Sequence, residues 1–240
     1  KSEMNYYIFK NCKITNKGLI IKNNNYIYNS SCRLNLSKIV PIENNFSKKY
    51  DRIINISGKW GSEYWHFLSE YLGCLTFLKY ENYKINVNSK RKYVIDFLKL
   101  LNINEDNIIS DNIHCQTLIQ PKPLNCGNPS NEIINKLSQK LKKKFKFKSQ
   151  KYFILIKRNK TRQLKYYVDL ENFCRNFCLK NNLKLHIHDD NNLPELKSQL
   201  NYFHQAKIVC GPHGAGLSNI ILSSKNTLVI ELLNPNWFNL

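Results

Sequence analysis

The stretch Gly211-Pro212-His213-Gly214-Ala215-Gly216-Leu217-Ser218-Asn219 constrains this chain more than any other. It follows a short apolar run, Ala206 to Cys210, whose β-branched Ile208 and Val209 suit a buried strand. It leads into Leu217, Ile220, Ile221 and Leu222, spaced as the inner face of a helix. The pattern predicts a strand, a glycine turn and a helix. Glycines at 211, 214 and 216 allow the backbone to turn sharply and to approach a ligand, and the N–H groups of Gly214, Ala215 and Gly216 fall where a helix start attracts negative charge. His213 adds a side-chain donor at the same place. A tight turn alone would account for the glycines; the histidine and Asn219 inside it favour a ligand.

The surrounding chain alternates strands and helices. From Tyr152 the pattern is strand 152–156, a basic loop (Lys157, Arg158, Asn159, Lys160, Thr161, Arg162), helix 170–180, strand 183–187, helix 194–204, the glycine-turn strand and a last strand 228–232. Ligands in such sheets bind beyond the carboxyl ends of the strands. Arg158, His213 and Glu231 lie at or just past strand ends, and Arg158 and Arg162 present two guanidinium forks suited to a diphosphate. Upstream, residues 1–58 read as short strands and turns, and Gly58 to Gly61 as a turn. Ser62 is then the expected N-cap of a helix with the buried stripe Trp65, Leu68, Leu72, Leu75 and Leu78. Glu63, His66 and Glu70 project from its other face. A helix over 91–101, apolar stretches at 108–109 and 113–119, and a helix over 132–141 complete the amino-terminal part.

Composition narrows the function. The net charge of +20, from 37 basic and 17 acidic residues, predicts attraction to anions. Heavy use of Lys, Asn and Ile, as in an AT-rich coding pool, accounts for part of that charge. The basic run 140–151 is most simply a solvated helix end and linker, with room for a weak contact to an anionic membrane surface. Eight cysteines (12, 32, 74, 115, 126, 174, 178, 210) show no CxxC spacing and read as small buried hydrophobes, with Cys174 and Cys178 on one helix face. His186, His188, Asp189 and Asp190 invite a metal reading, but no third ligand accompanies the two histidines, and no DxD motif occurs. No apolar run reaches membrane-spanning length, and no signal peptide is visible. The chain begins at Lys1, so localisation stays open between the cytoplasm and, with an upstream anchor, the secretory lumen. Sequons occur at Asn29, Asn35, Asn45, Asn55 and Asn159; a glycan on Asn159 would block the basic loop.

The motifs together resemble glycosyltransferase family 61, which includes plant xylan arabinosyl- and xylosyltransferases and animal O-linked N-acetylglucosaminyltransferases. GPHGAGLSN with the strand Leu228-Val229-Ile230-Glu231-Leu232 carries the resemblance, joined in order by WHFLSEYLGCL (65–75), FLKLLNI (97–103), ILIKRNKTRQL (154–164) and LPELKSQLNYFHQAKIVCGPHGAGL (193–217). It extends roughly from Trp60 to Leu233. The resemblance implies an α/β fold of GT-B type, with two Rossmann-like domains facing a cleft: an acceptor-side domain over 1–130, a basic helix end and linker over 131–151, and a nucleotide-sugar-binding domain over 152–240. It implies inversion at the anomeric carbon and a UDP-sugar donor, a pentose or N-acetylhexosamine, transferred to a hydroxyl of a glycan or glycoprotein. No metal or other cofactor is expected.

By the same resemblance, Arg158 and Arg162 hold the diphosphate together with Gly211, His213, Gly214, Ala215 and Gly216. Glu231 takes the ribose hydroxyls or, equally, a strand-end ion pair; Asn219 and Gln199 make supporting hydrogen bonds or cap a turn. WHFLSE matches at His66 and Glu70. An imidazole ordinarily titrates near ~6.5, which suits His66 as the base with Glu70 orienting it, though the reverse assignment is also compatible. Family members usually continue past the VIEL strand into a helical tail, whereas this chain stops at Leu240, a departure that bears on whether the cleft is complete. Two rival readings are a catalytically inactive nucleotide-sugar-binding domain and a basic nucleic-acid-binding module. The second predicts aromatics interleaved with basic residues and leaves the glycine turn without a role; no specific nucleic acid partner is expected.

Overall fold

A computed structural model describes residues 6–23, 25–28, 46–122 and 127–234. The chain divides into two compact units, Lys1–Lys140 and Leu141–Leu240, the division falling in the last turn of helix α3 (Asn131–Lys142). No helix among the described residues is long and apolar enough to cross a membrane.

The first unit is built on a sheet in the order β3-β2-β1-β7-β4-β5-β6. Strands β1 (Tyr6–Ile14), β2 (Leu19–Lys22) and β3 (Asn25–Tyr28) are joined by short turns, and such turns permit only antiparallel pairing. Strand β7 (Ile113–Pro121) pairs antiparallel with β1 and parallel with β4 (Lys48–Asn55), which continues parallel to β5 (Lys84–Asn86) and β6 (Ile108–Ile109). The α/β class holds. The sheet is mixed, however, with an antiparallel meander added to a parallel part, so this unit departs from a purely Rossmann-like half. Ile14, Ile20, Ile53, Ile113 and Leu118 fill its core. Helix α2 (Lys92–Leu100) buries Val94, Phe97 and Leu98.

The single capped helix expected from Ser62 onward is replaced by three short helical pieces. Helix α1 (Tyr64–His66) is followed by a π-helical segment, Phe67–Tyr71, and a 3-10 helix, Leu72–Phe77. The N-cap is Glu63, without a side-chain cap; the Ser62 carbonyl is held instead by Tyr93 Oη (2.5 Å) and Arg91 Nη1 (2.8 Å). Phe67 to Glu70 are all buried, so Glu70 lies inside and not on a solvated face. Short π segments often mark functional positions, because the wider turn re-aims side chains.

The second unit is an all-parallel sheet, β11-β10-β8-β9, formed by β8 (Tyr152–Lys157), β9 (Lys184–Asp189), β10 (Ala206–Pro212) and β11 (Leu228–Leu232). The chain passes from β8 outward to β9, then returns across β8 to β10. Helix α4 (Tyr167–Lys180) packs on β8 and β9, and α5 (Leu196–His204) on β8 and β10. Strand alternation separates the two faces. Phe153, Leu155, Ile208 and Cys210 meet Cys174 and Cys178 of α4, which do share a buried face. The glycine turn leads into a 3-10 helix, Ala215–Leu222, and not the α-helix expected from its apolar spacing. The switch in strand order lies between β8 and β10, and in doubly wound sheets ligands bind at the carboxyl ends beside that switch.

Candidate functional site

In the second unit, β8 and β10 are parallel neighbours, so the loops leaving their carboxyl ends meet. Gly214 has φ +153, and a Cβ placed there would sit 3.1 Å from Nη1 of Arg158 and 3.1 Å from Nη1 of Arg162. The glycine therefore lets two permanently charged guanidiniums close on one backbone point. Arg162, itself at φ +60, donates from Nη1 to the His213 carbonyl at 3.1 Å. Gly211 is required by packing, since its Cβ would lie 2.5 Å from Ile156 Cβ. Gly216 also sits against Ile156; Ala215 is partly exposed, and Asn219 is buried within the 3-10 helix.

His213 and Glu231 are brought together: Nδ1 lies 2.7 Å from Oε1, with both side chains about half exposed. The carboxylate that closes β11 thus orients the imidazole of the turn. Gln199 donates to the Pro194 carbonyl (2.7 Å) ahead of α5, the capping alternative for that residue.

Two aspartates outside the expected site brace the arginine loop. Asp190 Oδ2 lies 3.4 Å from Arg158 Nε, and Asp190 Oδ1 accepts the backbone N–H (3.0 Å) and the side-chain amide (2.7 Å) of Asn159. Asp189 Oδ1 accepts the same amide at 2.6 Å, and its Oδ2 pairs with Lys157 at 3.3 Å. The backbone N–H of Asn191 and these partners pull the Asp189 carboxyl below its ordinary range. In the sequence the two aspartates stand beside the histidines with no spacing that ties them to Arg158 or Asn159, because the contact depends on β9 lying next to β8. The histidines have other work. His186 stacks on Tyr202 (3.7 Å between centroids, 16° between planes), and His188 meets the edge of Phe203 at 5.2 Å. Burial pushes the His188 imidazole down to about 4, with His186 adding to the shift and Asp190 and Asp189 opposing it. Among the described residues, no three His, Cys, Asp or Glu side chains gather as metal ligands.

In the first unit, His66 Nδ1 lies 2.9 Å from Glu70 Oε1, and the same oxygen accepts the Gly127 N–H at 2.8 Å. Glu70 is only 7% exposed. An ionised carboxylate only accepts, so a neutral ring paired with one through Nδ1 carries its proton there and leaves Nε2 as the basic nitrogen. Trp60 stacks on the imidazole (5.7 Å, 21°) and Trp65 meets its edge (4.8 Å, 83°), fixing the ring plane. Glu63 stays exposed. The turn leading to this helix is held by Asn88, whose side chain bonds both the N–H (2.9 Å) and the carbonyl (2.7 Å) of Gly58. Beside it lies a buried network at the strand ends: Asn55 donates to Gln120 (2.6 Å) and accepts from Ser57 Oγ (2.6 Å) and Asn86 (3.0 Å). Isolated asparagines ending isoleucine-rich strands were its sequence signal.

This placement bears on the sequons. Asn55 is buried, and the amide of Asn159 is taken by two aspartates; Asn29, Asn35 and Asn45 lie outside the described residues.

The second unit is a parallel α/β sheet with two arginines gathered over a glycine turn at its switch point, the place where sheets of this kind commonly bind ligands. The family model of glycosyltransferase 61 matches residues 64–230, and the chain belongs to that family. The match takes in His66, Glu70, Arg158, Arg162 and the glycine turn, and stops one residue before Glu231. No curated protein gives a match.

Proposed function

We propose that this protein is an inverting, metal-independent glycosyltransferase of GT-B type that moves a pentose or N-acetylhexosamine from a UDP-sugar to a hydroxyl of a glycan or glycoprotein. The observation that carries the donor reading is the convergence of Arg158 and Arg162 on Gly214. Two guanidinium forks supply the positive charge that a departing diphosphate needs, a task that a divalent cation performs elsewhere. His213, oriented by Glu231 through Nδ1, adds an Nε2–H donor from the same turn in its imidazolium form. Family membership makes sugar transfer the reaction to which this charge is put.

In the proposed step the acceptor oxygen attacks the anomeric carbon from the face opposite UDP. Its proton passes to His66 Nε2, and the bond to the diphosphate oxygen breaks with its electron pair. Glu70 holds Nδ1–H and stabilises the imidazolium formed, as the carboxylate does in other His–carboxylate pairs.

The test is calorimetric titration of UDP into the folded Arg158→Ala protein. Affinity is expected to fall by roughly 1.5–3 kcal/mol, the range for a hydrogen bond to a charged group. Unchanged affinity would overturn the donor assignment, and loss of wild-type turnover on adding a chelator would overturn metal independence.

A further inference from the structure

Cys12 of β1 and Cys115 of β7 are direct partners in the antiparallel register. Their sulfurs lie 3.4 Å apart, and the residues are 2% and 4% exposed. We infer that the two thiols form a disulfide, a covalent staple between β1 and β7, when the chain folds in the presence of a disulfide oxidant such as glutathione disulfide.

The geometry is that of a pair needing only side-chain rotation. Directly opposed residues of antiparallel strands have Cα atoms about 4.5–5.5 Å apart, inside the ~4.4–6.8 Å window that a disulfide spans. Both side chains point to the same face of the sheet, into a cluster of Ile14, Ile20, Ile53, Ile113 and Leu118 that offers the sulfurs no polar partner. The Cys115 thiol turns instead toward the Cys12 carbonyl at 3.5 Å. Of the other described cysteines, Cys74, Cys174 and Cys178 lie on helices, and Cys210 faces Leu155 and Ile230 across its two ladders. The site also has a mechanical purpose. The first half of β1 is poorly covered, with Tyr6, Tyr7 and Ile8 all exposed, while Cys12 and Ile14 are its buried anchor. A bond at Cys12 would tie the β1–β3 meander to the strand that joins it to the parallel part of the sheet. It would close a loop between residues 103 apart, and long loops gain most from closure.

The exchange balances without further reagents. Once deprotonated, Cys12 attacks one sulfur of glutathione disulfide as the thiolate, and the S–S bond breaks to release one glutathione as its thiolate. Cys115 then attacks the mixed disulfide at Cys12 and releases the second. Two protein thiols lose two hydrogens and two electrons, and two glutathione molecules carry them away. Because both sulfurs are buried, the exchange takes place before the sheet closes over them.

The experiment uses the full wild-type chain, refolded once in a glutathione redox buffer and once under reductant, then unfolded, alkylated and mapped without reduction. The oxidised sample is expected to protect two of the eight thiols from alkylation, yield a linked peptide pair containing Cys12 and Cys115, and melt about 5–15 °C above the reduced sample. Cys12→Ser and Cys115→Ser should each abolish the linked pair. Alkylation of all eight thiols after oxidation would overturn the proposal, as would a bond from either residue to Cys32 or Cys126, or a linked pair that leaves the melting temperature unchanged. The wild-type measurement decides even where a variant fails to fold.

Discussion

The His66–Glu70 pair and the Arg158–Arg162–Gly214 cluster reach similar precision by opposite routes. The first is a contact between residues four apart on one helical segment, tightened by the Gly127 N–H. The second joins loops 51 residues apart, Arg162 to His213, through the adjacency of β8 and β10. A local pair depends on how its helix is buried; a distant cluster depends on strand order. The same i,i+4 spacing occurs in Lys92–Asp96 at 2.9 Å, but that lysine side chain is 73% exposed, against 24% for His66. Spacing makes a pair, and burial decides whether it has chemistry to offer.

Removing the proposed base is the hardest test of the local route. His66→Ala is expected to lower kcat by at least ~100-fold with UDP affinity retained, whereas loss of a mere packing residue would lower stability first. Steady-state kinetics alongside UDP calorimetry separates the two, and near-normal turnover in both His66→Ala and Glu70→Ala would remove this segment from the mechanism.

The distant route carries a pH signature. His188, 3% exposed and held at about 4, stays neutral in the folded protein well below the ~6.5 at which an unfolded imidazole takes a proton. Between those values only the unfolded chain binds that proton. Its contribution is therefore fully present above pH ~6.5, falls as the pH is lowered, and is lost by about 3 kcal/mol near pH 4. Urea titrations over that range should show the slope, and His188→Leu should flatten it.

Gly214→Ala probes the point where the two arginines meet. A φ of +153 and guanidiniums 3.1 Å from the new methyl predict a loss of ~1–3 kcal/mol, divided between stability and UDP affinity. Equal UDP binding and melting temperature to wild type would show that the arginines do not need this glycine. At the small end, Lys92→Ala should cost only ~0.3–0.5 kcal/mol and leave turnover unchanged, since an exposed i,i+4 pair contributes little. A larger effect in chemical denaturation would erase the contrast with His66–Glu70.

Read alone, the residues already determined what depends on short-range rules. The β-branched run before Gly211, the glycines of the turn, the alternation of strands and helices from Tyr152 onward and the pairing of His66 with Glu70 follow from periodicity and spacing, which act over a few residues. Tertiary structure alone decided the rest. Glu70 became a buried acceptor because the helix widened at Phe67–Tyr71 and the Gly127 N–H came to meet it. His186 and His188 went to aromatic packing, and the neighbouring aspartates to bracing the basic loop, Asp190 at Arg158 and Asp189 at Asn159 and Lys157, because parallel pairing sets the end of β9 beside the end of β8. Cys12 met Cys115 through a register spanning most of the first unit. Such partners are set by strand order, and strand order is settled by which apolar faces can be buried together, a property of the whole chain that no local window contains.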